Sequence, residues 1–131
     1  MQNKTTLTDK FILTILGLEH VGFGLMGLIS PLTVAGLVGF SLNELSSFSE
    51  VRAHYSLFLL IGLLAFIAMA KTQLLGFTYW VYLLIFGSYL IGRFVSIFID
   101  GMPDTTLWFV ILAELLVVLI SVWRLKVKAI A

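Results

Sequence analysis

The sequence predicts an all-α integral membrane protein, a bundle of four transmembrane helices forming one domain over residues 1–131, with both termini cytoplasmic. Two observations carry the class. The chain is 60% hydrophobic and 11% charged, where a soluble domain is about half apolar and about a quarter charged. Four apolar runs of 17 to 24 residues hold nearly all of that hydrophobic content, and ~20 residues cross hydrocarbon as a helix. Barrel strands would be ~10 residues with alternating polarity, and these runs are apolar nearly all round. Such a composition excludes a water-soluble enzyme, a nucleic-acid binder and a disordered tail protein. There are no cysteines, so disulfides, thiol catalysis and cysteine metal sites are excluded.

The first span covers residues 11–29 and is ended by Pro31. Lys4 and Lys10 precede it, as in a signal peptide, and Thr33-Val34-Ala35 resembles a cleavage site. The run is long for a signal core, however, and Glu19 and His20 interrupt it. It is therefore read as a permanent span. Residues 31–48 form an outer connection, still apolar at Leu37, Val38 and Phe40. They are read as a loop plus a short interfacial helix starting near Ser41, with Glu44 three residues on; a plain loop is the alternative. The second span covers 51–70, with Ser47 and Glu50 as a capping box before it. The third covers 76–99. The corner Asp100-Gly101-Met102-Pro103 follows, and Asp104 or Thr105 caps the fourth span, 107–123.

Orientation follows from the basic residues. Lys4, Lys10, Lys71, Arg124, Lys126 and Lys128 fall on one side of the membrane, and Arg52 alone on the other, with Glu44, Glu50, Asp100 and Asp104. The positive-inside rule puts both termini in the cytoplasm, and the expected location is a bacterial inner (cytoplasmic) membrane. Tyr79, Trp80, Trp108 and Trp123 lie at span ends, where interfacial aromatics belong.

The charges inside the spans carry the functional interest: Glu19, Arg93 and Glu114, with His20 beside Glu19. Insertion costs of ~2.5–3.5 kcal/mol each would total about 7–10 kcal/mol if all three were charged and unpaired. They must pair, protonate or face a cavity. At 1.5 Å per residue, Arg93 lies roughly 10 Å below the outer corner and Glu114 roughly 12 Å. The two are level, so an ion pair across the hairpin of spans three and four is geometrically easy. Glu19, at roughly 15 Å, is deep enough to join them.

Spacing extends the cluster. Tyr82, Tyr89, Arg93, Ser96 and Asp100 share one helical face of the third span, and Glu114 and Ser121 one face of the fourth. On the first, Gly17, His20, Gly24 and Gly27 make a face that lets another helix approach closely. The second offers Arg52, His54, Tyr55 and Ser56 at its outer end. Glu50, Arg52 and Asp100 are read as a solvated outer network. His20 and His54 differ in depth by about 10 Å, so no shared metal is expected. No metal site, cofactor or catalytic residue is assigned.

Two stretches resemble a known family. One is Glu50-Val51-Arg52-Ala53-His54-Tyr55, followed by Gly62. The other is Gly92-Arg93-Phe94-Val95-Ser96, then Asp100-Gly101-Met102-Pro103 and Glu114-Leu115-Leu116. Together they are similar to a family of small four-helix bacterial membrane proteins described only as a domain of unknown function. The resemblance covers about residues 47–124 and, loosely, the first span; the chain departs from the pattern at Ser56, where glycine is expected. It implies the fold and marks Glu50, Arg52, Tyr55, Arg93, Ser96, Asp100 and Glu114 as motif positions. It implies no activity.

Three functions fit these residues. In the first, Glu19, His20, Tyr55, Tyr89, Arg93, Ser96 and Glu114 line an intramembrane polar cluster, open to the outer side, that binds or transports a small molecule or lipid. Four short spans with a glutamate in the first are like small multidrug exporters, by analogy only. Such a protein would have to be a homo-oligomer, since four helices make a thin pathway. In the second, the chain is an accessory or assembly subunit of a larger membrane complex, and the charges are glue. In the third, Glu19, His20 or Glu114 serves as acid or base in an intramembrane enzyme acting on a lipid-like substrate. Membrane lipid is a partner in all three, nucleic acid in none. A closed Arg93–Glu114 pair would favour a structural role and an open one binding.

Overall fold

The computed structural model describes residues 4–130, with side chains to Lys128. The expected domain runs to both chain ends, where residues 1–3 and 131 lie outside the described residues. The described chain is mostly helical, with five α-helices: α1 (Leu7–Ile29), α2 (Pro31–Val38), α3 (Leu45–Ala70), α4 (Leu75–Asp100) and α5 (Thr105–Ile130). One 3₁₀ turn, Thr72–Leu74, links α3 to α4. Four helical stretches are long and apolar enough to cross a membrane: Leu7–Ile29, Leu45–Ala70, Thr72–Asp100 and Thr105–Lys128. The protein is a multi-pass membrane protein. It divides into two compact units, Met1–Leu75 and Gly76–Ala131.

Every long helix outruns the apolar run that predicts it, because its ends are polar residues that hydropathy does not register. α1 starts at Leu7, not Phe11. Thr6 is its N-cap: the Asp9 backbone N–H donates to Thr6 Oγ1 at 3.2 Å, and the Thr6 backbone N–H donates to Asp9 Oδ2 at 2.9 Å. This reciprocal pair is a capping box with Asp in place of the usual Glu or Gln. The expected box at Ser47 and Glu50 does not form. α3 begins earlier, at Leu45, with Glu44 as N-cap and no side-chain cap bond, so Ser47 and Glu50 stand inside the helix.

The short helix between the first two spans exists but lies earlier than expected. Residues 40–44 are not helical, so no helix starts near Ser41. α2 begins directly at Pro31, which occupies its first turn. Proline there loses no intrahelical bond, and its fixed φ suits the helix. Pro31 therefore both stops α1 and starts α2. α2 ends at Gly39, with φ +92°. It packs Val34 against Val51 and Tyr55, with Phe23, Met26 and Phe58 around them.

Within the first unit, α1 and α3 run antiparallel along the glycine face of α1. A Cβ at Gly24 would fall 2.5 Å from the Leu59 backbone nitrogen, and one at Gly62 would fall 2.7 Å from that of Val21. Each glycine thus meets the backbone of the facing helix, which cannot give way as a side chain can. Small residues at such a contact let two membrane helices gain close van der Waals packing, which replaces the hydrophobic drive absent in lipid. The glycine face read from the sequence is therefore filled by α3 of the same chain.

In the second unit, α4 buries Thr78, Tyr79, Tyr82, Phe86 and Leu90, and α5 buries Ile111, Glu114, Val117, Ser121 and Arg124. Both sets follow three- and four-residue steps, one face per helix. The turn between the helices is set by Gly101, whose φ of +105° only glycine adopts without strain. Asp104 then caps α5, accepting from the Leu107 backbone N–H at 2.8 Å.

Replacing Gly24 by alanine should destabilise the α1–α3 pair by about 1–3 kcal/mol, the usual effect of overpacking. Gly87→Ala should not, since a Cβ there meets nothing within 4 Å. Unfolding midpoints in mixed detergent check this: the Gly24 variant shifts down and the Gly87 variant does not.

Candidate functional site

The sequence-derived site residues fall into two sets, one per unit. In the second unit, Arg93 and Glu114 form a salt bridge. Arg93 Nη2 donates to Glu114 Oε1 at 3.0 Å, and Arg93 Nε donates to Glu114 Oε2 at 3.3 Å. The contact is a two-point fork, which fixes orientation as well as distance. Its residues stand 21 apart in sequence and meet because α4 and α5 form an antiparallel hairpin with a four-residue corner. The pair expected from depth alone therefore forms.

The partners are unequally covered. The Glu114 side chain is 7% exposed, whereas that of Arg93 is 33% exposed. A guanidinium has five N–H donors. Glu114 takes two, and among the described residues no other group bonds Arg93. Three donors remain on the exposed edge. One turn toward the Gly101 corner, Ser96 Oγ donates to Asp100 Oδ2 at 2.6 Å, and both residues are exposed. Tyr89, half-buried one turn before Arg93, packs edge-on against Phe86 at 5.5 Å.

In the first unit, His20 is buried and its Nδ1 lies 2.8 Å from the Leu16 carbonyl oxygen. A carbonyl only accepts, so Nδ1 carries the hydrogen. The His20 ring tilts against Phe58 at 5.1 Å, and Phe58 in turn contacts Tyr55 and His54. Tyr55 is buried against Gly27, where a Cβ would collide with its ring. Glu19 Oε2 lies 3.8 Å from His20 Nδ1, beyond hydrogen-bond reach, and its side chain is 45% exposed. Arg52, in the expected outer network, donates from Nε to the Leu28 carbonyl at 3.1 Å. Glu50 is exposed on the first turns of α3.

Burial adds residues that the sequence reading took for interfacial charges or passed over. Asp9 in the first unit is fully buried, as is Thr78 in the second, and Arg124 nearly so. The Arg124 guanidinium also stands over the Trp123 ring at 5.0 Å. The signal for Arg124 was present: Glu114, Val117, Ser121 and Arg124 continue one helical face.

The geometry explains the motif string. Gly101 permits the turn, Ser96 and Asp100 tie the last turn of α4, and Arg93 and Glu114 bolt the two helices. Over residues 8–125 the chain matches the family described as Domain of unknown function (DUF4345). The chain belongs to this family. The match takes in α1 as well as the hairpin and all the motif positions quoted above. No curated protein and no solved structure matches the chain.

Removing one partner of the fork should cost more than removing both. Glu114→Leu leaves a guanidinium uncompensated in hydrocarbon, whereas Arg93→Leu with Glu114→Leu leaves an apolar contact. A double-mutant cycle on detergent unfolding should give a coupling of the order of 1 kcal/mol. Additive single effects would show the pair to be energetically idle.

Proposed function

We propose that the outer half of the α4–α5 hairpin binds the head group of a membrane phospholipid, with the phosphate or ester oxygens on Arg93. One observation supports this above all: a one-third exposed guanidinium that offers three N–H donors with no protein partner among the described residues. Unmet donors in hydrocarbon are costly. Bilayer oxygens are the acceptors present in quantity at that level.

Depth agrees with this reading. α4 has 26 residues, or about 39 Å of helix against ~30 Å of hydrocarbon. A centred helix extends about 4–5 Å past each boundary, which puts the Arg93 backbone about 6 Å inside. A long arginine side chain spans that distance to the head-group level.

Charge selects the head group. Arg93 and Glu114 together are neutral, and Asp100 and Asp104 mark the same end of the hairpin. An anionic head would be repelled by these carboxylates. A zwitterionic head with a primary amine places phosphate on Arg93 and ammonium toward Asp100. The reading also places both termini on the cytoplasmic side, supported by the six basic residues at one end of the spans against Arg52 at the other.

Native mass spectrometry from lipid-supplemented detergent tests this. Phosphatidylethanolamine should be retained over phosphatidylglycerol. Arg93→Leu with Glu114→Leu should weaken its retention about tenfold, the effect of one charge-assisted hydrogen bond. Competition by inorganic phosphate would assign the site to a free anion instead. Equal retention by wild type and the double variant would end the proposal.

A further inference from the structure

We propose that two copies of this chain pair along α1, with Glu19 of one copy hydrogen-bonded to Glu19 of its partner. Glu19 stands near the middle of α1, about 18 Å from Leu7 and about 15 Å from Ile29, and its side chain is 45% exposed. Its neighbour His20 commits Nδ1 to the Leu16 carbonyl and lies 3.8 Å away. Among the described residues no hydrogen bond to the Glu19 side chain exists. Midway through a membrane-spanning helix there is no water to supply one. A group of this kind requires a covering partner.

A second observation marks the same face. α1 contains four glycines. Gly17, Gly24 and Gly27 are held against Phe66, Leu59 and Tyr55 of α3, where a Cβ would collide. Gly22 is not: a Cβ there meets nothing within 4 Å. Glycine in a helix interior costs about 1 kcal/mol relative to alanine, and no contact among the described residues of the first unit requires it at this position. Gly22 lies one turn from Glu19, on the side away from α3. Ile15, Glu19 and Gly22 follow steps of four and three, the spacing along which two helices pack with a left-handed twist. Gly22 allows a close approach beside the carboxyl.

The occupant follows from chemistry and symmetry. The exposed residues around Glu19 are uncharged, so a partner needs an apolar face carrying one hydrogen-bonding group at mid-depth. A second copy supplies both. With the single orientation proposed above, two α1 helices run parallel and bring Glu19 to Glu19 at one level across a two-fold axis. A protonated carboxyl both donates and accepts, so two protonated carboxyls facing each other exchange two hydrogen bonds and leave no net charge in the hydrocarbon. A different partner would need its own polar group at that depth.

The chain has no cysteine, so single cysteines report on this contact without background. In native membranes, Ile15→Cys and Gly22→Cys should form disulfide-linked dimers on mild oxidation. Leu84→Cys and Ile91→Cys, on the exposed face of α4, should not. Adding Glu19→Leu to Ile15→Cys should lower the dimer yield roughly fivefold or more, while Glu19→Gln should keep it, since an amide also donates and accepts. Glu19 lies outside the α1–α3 contact, so an unchanged unfolding midpoint will show that each variant folds. Equal cross-linking at all four positions, no dimer at Ile15→Cys or Gly22→Cys, or cross-links to a protein of different mass overturns the proposal. An unaltered yield with Glu19→Leu overturns the role of the carboxyl.

Discussion

The constraint on which the structure depends is the lack of hydrogen-bonding solvent between the ends of its helices. Within the hydrocarbon, every polar group must find its partner in protein or in lipid. The backbone meets this demand by helix formation alone, which explains why the described chain is helical almost without interruption. The side chains meet it unequally. Glu114 is covered and fully used by Arg93. Arg93 is half used. Glu19 has no hydrogen bond among the described residues. These three degrees of satisfaction, rather than any catalytic constellation, distinguish the positions at which the protein can engage something outside itself.

The same constraint separates structural from functional roles within one contact. The Arg93–Glu114 fork ties α4 to α5 and fixes their register, as the hairpin motif requires. A two-point ion pair with both partners buried would end there. Here the guanidinium edge facing away from Glu114 remains open, so the pair holds the helices together and presents three donors at a fixed height. Glu114 thereby becomes the positioning residue for Arg93. On α1 the corresponding division is spatial: one face is spent on α3, through glycines that admit a backbone, and the other carries Glu19 and Gly22.

Much of this was legible in the sequence. Apolar runs of membrane length located the four spans, and counting residues from the Asp100-Gly101 corner put Arg93 level with Glu114. What hydropathy could not give was the polar ends of the helices. The extra turns of α3 hold Ser46, Ser47, Ser49 and Glu50, which read as loop and cap but are helix. Pro31 reads as a terminator, yet its position in a first turn makes it an initiator as well. Arg124 reads as an interfacial charge because it neighbours lysines, and Asp9 draws no notice beside Lys10. Only packing shows that they are buried. The closed side of the glycine face was also invisible, since spacing says that a helix approaches but not which one.

The central claim is that the open edge of Arg93 meets lipid oxygen. Nitrogen-15 to phosphorus-31 dipolar dephasing, measured by solid-state NMR on the protein in phosphatidylethanolamine bilayers, tests it most directly. The chain has three arginines, Arg52, Arg93 and Arg124, and the signal of interest is the one lost in Arg93→Lys. The account predicts clear dephasing of that guanidinium by lipid phosphorus, reduced when phosphatidylglycerol replaces phosphatidylethanolamine. A guanidinium that shows no dephasing in either bilayer would contradict it.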